Sequence, residues 1–255
     1  MQYALISDIH ANDAALLAVL DQIARRSGAA AIYQLGDLVG YGPAPNEVVG
    51  LIRDRGIPGV AGNYDSTVAS SYQHCGCRYE DPKQEALAHL SFEWTKRQVS
   101  EATRAFLGGL PFRIDLRPLG GHLSGPTVFL LHGNQVLNTV YVTEDRPDDF
   151  LQKMAAAVAA KPGDVVCFGH THIPWHRIVE GVHFVNTGSV GRPKDGDWRA
   201  CYALLTIDGT GVAVDFVRVE YDVERVARAI QQSELPDDFA DQLRTGGKTS
   251  VLAGG

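Results

Sequence analysis

Residue types that bind metal ions follow five short apolar runs of the 255-residue sequence. They comprise two carboxylates, one amide and four imidazoles: Asp8, His10, Asp37, Asn63, His132, His170 and His172. Most of these residues are flanked by glycine. In an open α/β sheet the carboxyl ends of the strands face a common crevice. If the five runs are strands of such a sheet, we expect all of these side chains to meet there.

A buried cluster of this composition is costly without a cation, because buried carboxylates must be paired and neighbouring imidazoles repel once protonated. Mixed nitrogen and oxygen ligands favour manganese, iron, zinc, cobalt or nickel over calcium or a copper–thiolate site. Seven ligands exceed what one tetrahedral ion accepts. We therefore expect two divalent transition-metal ions that share Asp37. Against two carboxylates they leave a charge of about +2, which favours an anionic oxygen such as phosphate as the substrate group.

Alternating apolar runs and amphipathic stretches indicate which elements carry these residues. Strands are predicted at residues 3–6, 29–35, 57–61, 112–116, 127–131, 164–168, 176–179, 182–185, 200–207 and 212–219. Helices are predicted at residues 14–25, 46–55, 82–99, 101–107, 148–160 and 223–231. Asn12 or Asp13 is the predicted cap of the first helix. The β-α-β order near the amino terminus predicts a largely parallel sheet, and the hairpins near the carboxyl terminus predict a second sheet.

Composition narrows the function classes. Apolar residues make up 45% and charged residues 21%, as in globular proteins, and no apolar run reaches the roughly 18 residues of a membrane span. The net charge of -7 and the lack of a Lys/Arg cluster disfavour nucleic-acid binding. We expect one cytoplasmic domain over residues 1–255, with a helical insert at about 65–110 and a polar tail at about 233–255. The sequence gives no oligomeric state.

The ordered ligand set resembles the calcineurin-like metallophosphoesterase superfamily, whose signature is Asp-x-His, Gly-Asp, Gly-Asn, His and Gly-His-x-His. Residues 36–43 and 186–191 are similar to its small bacterial and archaeal phosphodiesterase branch. The resemblance covers nearly the whole chain. It implies an α/β (α+β) fold, a four-layer α-β-β-α sandwich of two mixed sheets flanked by helices. By analogy, one ion is held by Asp8, His10, Asp37 and His172, and the other by Asp37, Asn63, His132 and His170.

The resemblance also implies an activity, the hydrolysis of phosphodiester bonds by a metal-bridging hydroxide, with phosphomonoesters as a second option. The expected catalytic residues are Asp37, Asn63, Tyr64 and His132. A small phosphate-ester substrate is expected to contact Asn63 and Arg192. The alternatives are a non-catalytic metal-binding scaffold of the same fold, and a phosphoprotein or dinucleoside polyphosphate phosphatase.

Tyr64 departs from the pattern of family members that act on monoesters. Those proteins commonly carry Gly-Asn-His-Asp/Glu, in which the histidine protonates the leaving group, whereas residues 62–65 read Gly-Asn-Tyr-Asp. A tyrosine with a pKa near 10 seldom replaces that histidine at neutral pH. The substitution favours diesters with good leaving groups, or slow turnover. Alternatively, Tyr64 only fills space beside the metals.

Three further segments have more than one interpretation each. The glycine-rich segment 186–192 is either an anion-binding nest with Arg192 or, as we favour, a tight turn. His74, Cys75 and Cys77 form a small zinc site, a redox pair or, as we favour, a polar loop with free thiols. The helical insert either lines the substrate pocket or covers a sheet edge.

Overall fold

The computed structural model describes residues 1–26, 31–79, 81–117 and 125–248. These residues form nine strands and eight helices. The strands are β1 (Gln2–Ile6), β2 (Ala31–Gln34), β3 (Ile114–Leu116), β4 (Val128–Leu130), β5 (Val165–Phe168), β6 (Trp175–Val179), β7 (Val182–Asn186), β8 (Ala200–Asp208) and β9 (Gly211–Val219). The helices are α1 (Asp13–Arg25), α2 (Pro45–Asp54), α3 (Asn63–Ala69), α4 (Pro82–Gln98), α5 (Glu101–Gly108), α6 (Asp148–Val158), α7 (Val223–Gln231) and α8 (Asp238–Thr245).

The strands form two mixed sheets, of order β2-β1-β8-β9 and β3-β4-β5-β7-β6. In the first sheet, β1 is parallel to β2 and antiparallel to β8, which pairs antiparallel with β9. In the second, β4, β5 and β7 are parallel, and the edge strands β3 and β6 are antiparallel to their neighbours. The mixed sheets implied by the resemblance are confirmed. The prediction of a largely parallel sheet was wrong, because β8 and β9, which form a hairpin, return to pair beside β1.

Alternate residues of β1 face two different cores, as the two-residue period of a strand requires. Ile6 belongs to a core under most of the helices, and Leu5 to a core that it shares with Cys167 of β5 between the two sheets. A third core lies on the outer face of the second sheet, where Phe168 packs in one cluster with Leu151 of α6. Helices therefore cover both outer faces, which gives the four-layer arrangement.

The predicted strand at 57–61 is absent. Gln34 and Gly59 form only an isolated bridge beside β2. Pro58 accepts a hydrogen bond from the Gln34 N–H at 3.0 Å, but its ring nitrogen has no hydrogen to donate. Beyond the bridge, the Ala61 N–H donates to a carbonyl in the loop after α5. The segment therefore leaves the sheet edge before a strand can extend.

Most predicted helices and strands agree with the structure to within a few residues, and Asn12 caps α1 by accepting the Ala15 N–H at 3.0 Å. Residues 29–30 of the second predicted strand lie outside the described residues. The predicted insert contains α3, α4 and α5, joined by a non-helical segment at 70–79. The tail predicted to be polar contains α8, which buries Phe239 and Leu243. Among the described residues, no helix is long and apolar enough to cross a bilayer.

Candidate metal centre

The predicted ligands lie in loops that follow strands, except Asn63, which begins α3, and most of them have unusual backbone geometry. Five have φ values of 47° to 67°, in the left-handed region: Asp8, His10, Asp37, His170 and His172. Non-glycine residues seldom adopt this region. Such conformations cost about 1 to 3 kcal/mol each and persist only where the surrounding structure enforces them. Their concentration in loops that follow β1, β2 and β5 is typical of a functional site.

Two glycines of the motif approach the carboxylates too closely for any other residue. A Cβ atom at Gly62 would lie 2.1 Å from Oδ1 of Asp37, and one at Gly169 would lie 2.4 Å from Oδ2 of Asp8. Only glycine fits such an approach. The glycines before Asn63 and His170 are therefore explained by the packing of two loops against each carboxylate.

The first group of potential ligands consists of Asp8, His10 and His172. Nε2 of His172 lies 3.3 Å from Oδ1 of Asp8, and Nε2 of His10 lies 3.8 Å from the same oxygen. The two imidazole nitrogens are 3.1 Å apart. All three side chains are buried, so their ligand atoms converge on one small, dry volume.

The second group consists of Asp37, His132 and His170, with Asn63 beside them. Nε2 of His132 lies 3.4 Å from Oδ2 of Asp37 and 3.1 Å from Oδ1 of Asn63. The ring of His170 packs edge-on against that of His132, with centroids 5.1 Å apart. In each group the ligand atoms lie within 4.8 Å of one another.

Asp37 lies between the two groups. Its Oδ2 is 3.4 Å from Nε2 of His132 in its own group and 3.7 Å from Nε2 of His10 in the other. Its Oδ1 accepts the Tyr64 N–H at 2.9 Å, which fixes the orientation of the carboxylate. One carboxylate oxygen is thus within reach of a cation in either group.

Backbone carbonyls orient three of the imidazoles. Nδ1 of His10, His132 and His172 lies 2.6 to 3.0 Å from the carbonyl oxygens of Val39, Leu35 and Arg192, respectively. A carbonyl only accepts, so each Nδ1 carries the hydrogen, and each ring presents the Nε2 lone pair to the centre whenever it is neutral. This is the tautomer and orientation in which histidine ligates a metal ion.

Burial sets the charge of the ligands. It lowers the pKa of His10 and of His170 to about 3 and that of His172 well below its ordinary value, so these rings are neutral at pH 7. Burial raises the pKa of Asp8 to about 7. Burial also disfavours charge on Asp37, but the His132 imidazole outweighs it and holds the pKa of this carboxyl well below its usual range. The pKa of His132 is raised to about 9, because Asp37 stabilises the charged form of the ring against the effect of burial.

The donor set fits two divalent cations. Oδ1 of Asp8 and Nε2 of His170 are buried and have no hydrogen-bond partner among the described residues. A buried polar atom without a partner costs about 1 to 3 kcal/mol. Both atoms lie among the converging ligands, so a cation in each group would satisfy them. The oxygen and nitrogen donors match the transition metals that the sequence indicates.

Two features that support Asn63 were not predicted. Its amide nitrogen donates to the Cys75 carbonyl at 3.0 Å and contacts the Cys77 Sγ at 3.1 Å, which leaves Oδ1 facing His132. Asp65 accepts the N–H groups of Gly62 at 3.0 Å and of Leu38 at 2.9 Å, joining the loops of Asn63 and Asp37. An acidic residue three positions after Gly62 is a helix-capping signal that could have indicated the contact between Asp65 and the Gly62 N–H.

Tyr64 is buried beside His10, whereas Arg192 lines a pocket. The Tyr64 side chain is 1% exposed, and its hydroxyl donates to the Ala88 carbonyl at 3.5 Å. Its ring packs against the edge of His10 with centroids 5.7 Å apart, which favours the space-filling interpretation. The guanidinium of Arg192 lies over the ring of Tyr41, 4.0 Å from its centroid, and borders a pocket beside the centre.

The structure shows the surroundings of the three segments that have more than one interpretation. In 186–192, the N–H groups of Val190 and Gly191 donate to the carbonyls of Ser7 and Asp8, which favours a tight turn over an anion nest. Cys75 and Cys77 are free and lie beside Asn63, and among the described residues they belong to no group of three or more potential metal ligands. The helical insert contributes side chains to the pocket, as one of its two interpretations proposed.

The chain is similar to known proteins. Residues 1–210 match the model of the calcineurin-like phosphoesterase superfamily domain. An uncharacterized protein of Methanocaldococcus jannaschii is 34% identical over 95% of this chain and 97% of its own length. A metallophosphoesterase from Sphaerobacter thermophilus is 28% identical, with a TM-score of 0.72 over 96% of this chain and 99% of that one. A hypothetical protein from Pyrococcus horikoshii shares the fold at 23% identity, with a TM-score of 0.79 over 97% and 99%.

Proposed function

The chain belongs to the calcineurin-like phosphoesterase superfamily, and from this we propose that it is a binuclear metal-dependent phosphoesterase that prefers phosphodiesters. The observation that carries the proposal is the position of Asp37, with one carboxylate oxygen between two groups of buried ligands. One group would consist of Asp8, His10, Asp37 and His172, and the other of Asp37, Asn63, His132 and His170. Manganese, iron, zinc, cobalt and nickel all match the donor set.

When bound, two such ions would activate a water and stabilise the charge that develops on the phosphoryl oxygens. The protein would supply the geometry. The carbonyl partners of His10, His132 and His172 hold the rings in place before substrate arrives, so no reorganisation is needed during the reaction. The Cys75 carbonyl, which accepts a hydrogen bond from the Asn63 amide nitrogen, would hold the Asn63 oxygen towards the ion of its group.

The environment of Tyr64 supports a preference for esters with good leaving groups. Its hydroxyl donates to Ala88 inside the protein, and burial raises its pKa well above the ordinary value. Such a phenol is a poor donor of a proton to a leaving group at neutral pH. Esters whose leaving group needs no protonation, such as aryl diesters, are therefore the favoured substrates.

Metal analysis combined with two substrates tests the proposal. We expect about two equivalents of transition metal and faster hydrolysis of bis(p-nitrophenyl) phosphate than of p-nitrophenyl phosphate. Asp37→Asn keeps the shape of the side chain but removes its charge, and it should lower kcat/KM at least about 1,000-fold, since metal catalysis contributes several kcal/mol.

Asp164→Asn is the matched control. Asp164 is also buried and accepts two backbone N–H groups, from Thr127 at 2.7 Å and Lys161 at 2.8 Å, but it lies at the opposite end of β5 from His170. It should lose stability and keep its metal and its activity. A protein that binds both ions and hydrolyses neither ester would instead support the scaffold alternative.

A further inference from the structure

A pocket of about 750 Å³ lies beside the metal centre, and none of the seven predicted ligands is among the described residues that line it. Two of its lining residues pack against predicted ligands. The ring centroids of Tyr141 and His170 are 4.4 Å apart, and those of Tyr41 and His10 are 5.0 Å apart. The pocket therefore adjoins both groups of ligands. Its volume is within the usual range for sites that bind a whole small organic molecule, and far exceeds the needs of a single phosphate.

The pocket is strongly basic in an acidic protein. Its lining includes four cations (Arg78, Arg146, Arg192, Lys194) and one carboxylate (Asp81), a net charge of +3 from four minus one, whereas the whole chain carries -7. Within the described part of the chain, none of the four cations forms a salt bridge with an acidic side chain. Among the described residues, the lining therefore carries a net positive charge where a ligand would enter.

Arg192 shows that this is a formed site. It is only 7% exposed, and its Nε has no hydrogen-bond partner among the described residues. Its guanidinium is held in place by stacking on Tyr41 at 4.0 Å and by a hydrogen bond to Gln242. A buried guanidinium with an unused donor is costly unless an acceptor arrives, and arginine pairs well with phosphate oxygens.

From this pocket we infer a subsite for a second phosphoryl group, so that the substrates are phosphate esters with at least two phosphoryl groups, such as organic pyrophosphates. This inference rests on the proposed function, since one phosphoryl group must occupy the metal centre for the second to reach the pocket. Two adjacent phosphoryl groups carry more charge than a simple diester and match the excess of cations.

Binding of two hydrolysis-resistant probes to the metal-loaded protein tests the inference. The 5′-phosphonate analogue of AMP has one phosphoryl group, and α,β-methylene-ADP has two. In titration calorimetry at matched free metal concentration, α,β-methylene-ADP should bind at least tenfold more tightly than the AMP analogue. Each charge-assisted contact changes the dissociation constant by about one order of magnitude. Equal affinities for the two probes would overturn the subsite.

The double variant Arg78→Gln/Lys194→Gln tests the residues. Neither side chain makes a hydrogen bond within the described residues, so its loss should leave the fold intact. The preference for α,β-methylene-ADP should fall at least tenfold. Arg55→Gln is the matched control, because it removes a cation from an exposed position at the end of α2 that does not line the pocket. An unchanged preference in the double variant contradicts the inference.

The two proposals fail separately. Bis(p-nitrophenyl) phosphate has a single phosphoryl group and tests hydrolysis without the subsite. Loss of that activity in the metal-loaded protein counts against the proposed function, whatever the probes do. Normal activity together with equal probe affinities counts against the subsite alone.

Discussion

Nε2 of His10 and Nε2 of His172 face each other at 3.1 Å, and both are directed at Oδ1 of Asp8. The Nδ1 atoms of the two rings donate hydrogen bonds to backbone carbonyls, so both facing Nε2 atoms carry lone pairs in the neutral rings. Two lone pairs and a carboxylate oxygen at this separation repel one another. A cation among them turns that repulsion into bonding.

Metal binding should therefore stabilise the fold. A ligand present at 100 times its dissociation constant adds about 2.7 kcal/mol to the free energy of unfolding. For a protein of this size the thermal midpoint should rise by about 5 to 10 °C. Calorimetry of the protein, first stripped with a chelator and then reloaded with manganese or zinc, measures the change. An identical midpoint in both states would mean that the cluster does not bind these ions.

His172→Ala should remove one ion and leave the other, because His172 belongs only to the group with Asp8. Metal content should fall from two equivalents to about one, and kcat/KM by at least about 100-fold. His176→Ala is the control, since His176 stacks on His183 in the β6–β7 pair and touches neither group. If His172→Ala retains both ions, the proposed ligand sets are wrong.

The convergence of these side chains was predictable from sequence because they follow apolar runs, most of them next to glycine, as at Gly36-Asp37 and Gly169-His170. The rule that strand ends meet at one edge then places these side chains together. The apolar and amphipathic patterns of the sequence predicted most helices and strands to within a few residues. The missing strand at 57–61 was not predictable from its apolar content, because Pro58 and the onward path of the chain decide its pairing.

The basic pocket was not predictable. Arg78 and Arg146 belong to segments far apart in the sequence, with no periodicity or motif that links them, and both approach Arg192 only in the folded chain. Helix α8 was overlooked because residues 233–255 are polar on average. Its buried Phe239 and Leu243, four residues apart, are the helical signal that an average conceals.

Tyr64→Phe separates the two roles of this residue. If the ring only packs against His10, removal of the hydroxyl should change kcat for an ester with an alkyl leaving group, which must be protonated to depart, less than about threefold. Loss of the weak hydrogen bond to Ala88 should cost about 1 kcal/mol of stability. A proton-donor role would instead cost about 100-fold or more in kcat. The rates of both variants, Tyr64→Phe and Tyr64→His, on mono- and diesters would show whether a histidine here raises monoester hydrolysis.

The acid stability of the protein should depend on Asp197. Hydrogen bonds from the Arg199 guanidinium, the shorter at 2.7 Å, hold the pKa of this carboxyl at about 2, and Arg218 at 3.7 Å adds to the effect. Because the pKa is lower in the folded than in the unfolded chain, the stabilisation is present above about pH 4 and is lost as the pH falls towards 2. After allowance for solvent screening it amounts to about 1 kcal/mol, or about 2 to 4 °C in the thermal midpoint.

Asp197→Asn should therefore lower the thermal midpoint at pH 7, and the difference from the unmodified protein should narrow steadily below pH 4. Asp149→Asn is the control, since Asp149 pairs with Lys153 on an exposed face of α6, where ion pairs contribute little. Its midpoint should match that of the unmodified protein at both pH values. If the effect of Asp197→Asn is the same at pH 3 as at pH 7, the hydrogen-bonding shape of the side chain, and not its charge, supports this corner of the fold.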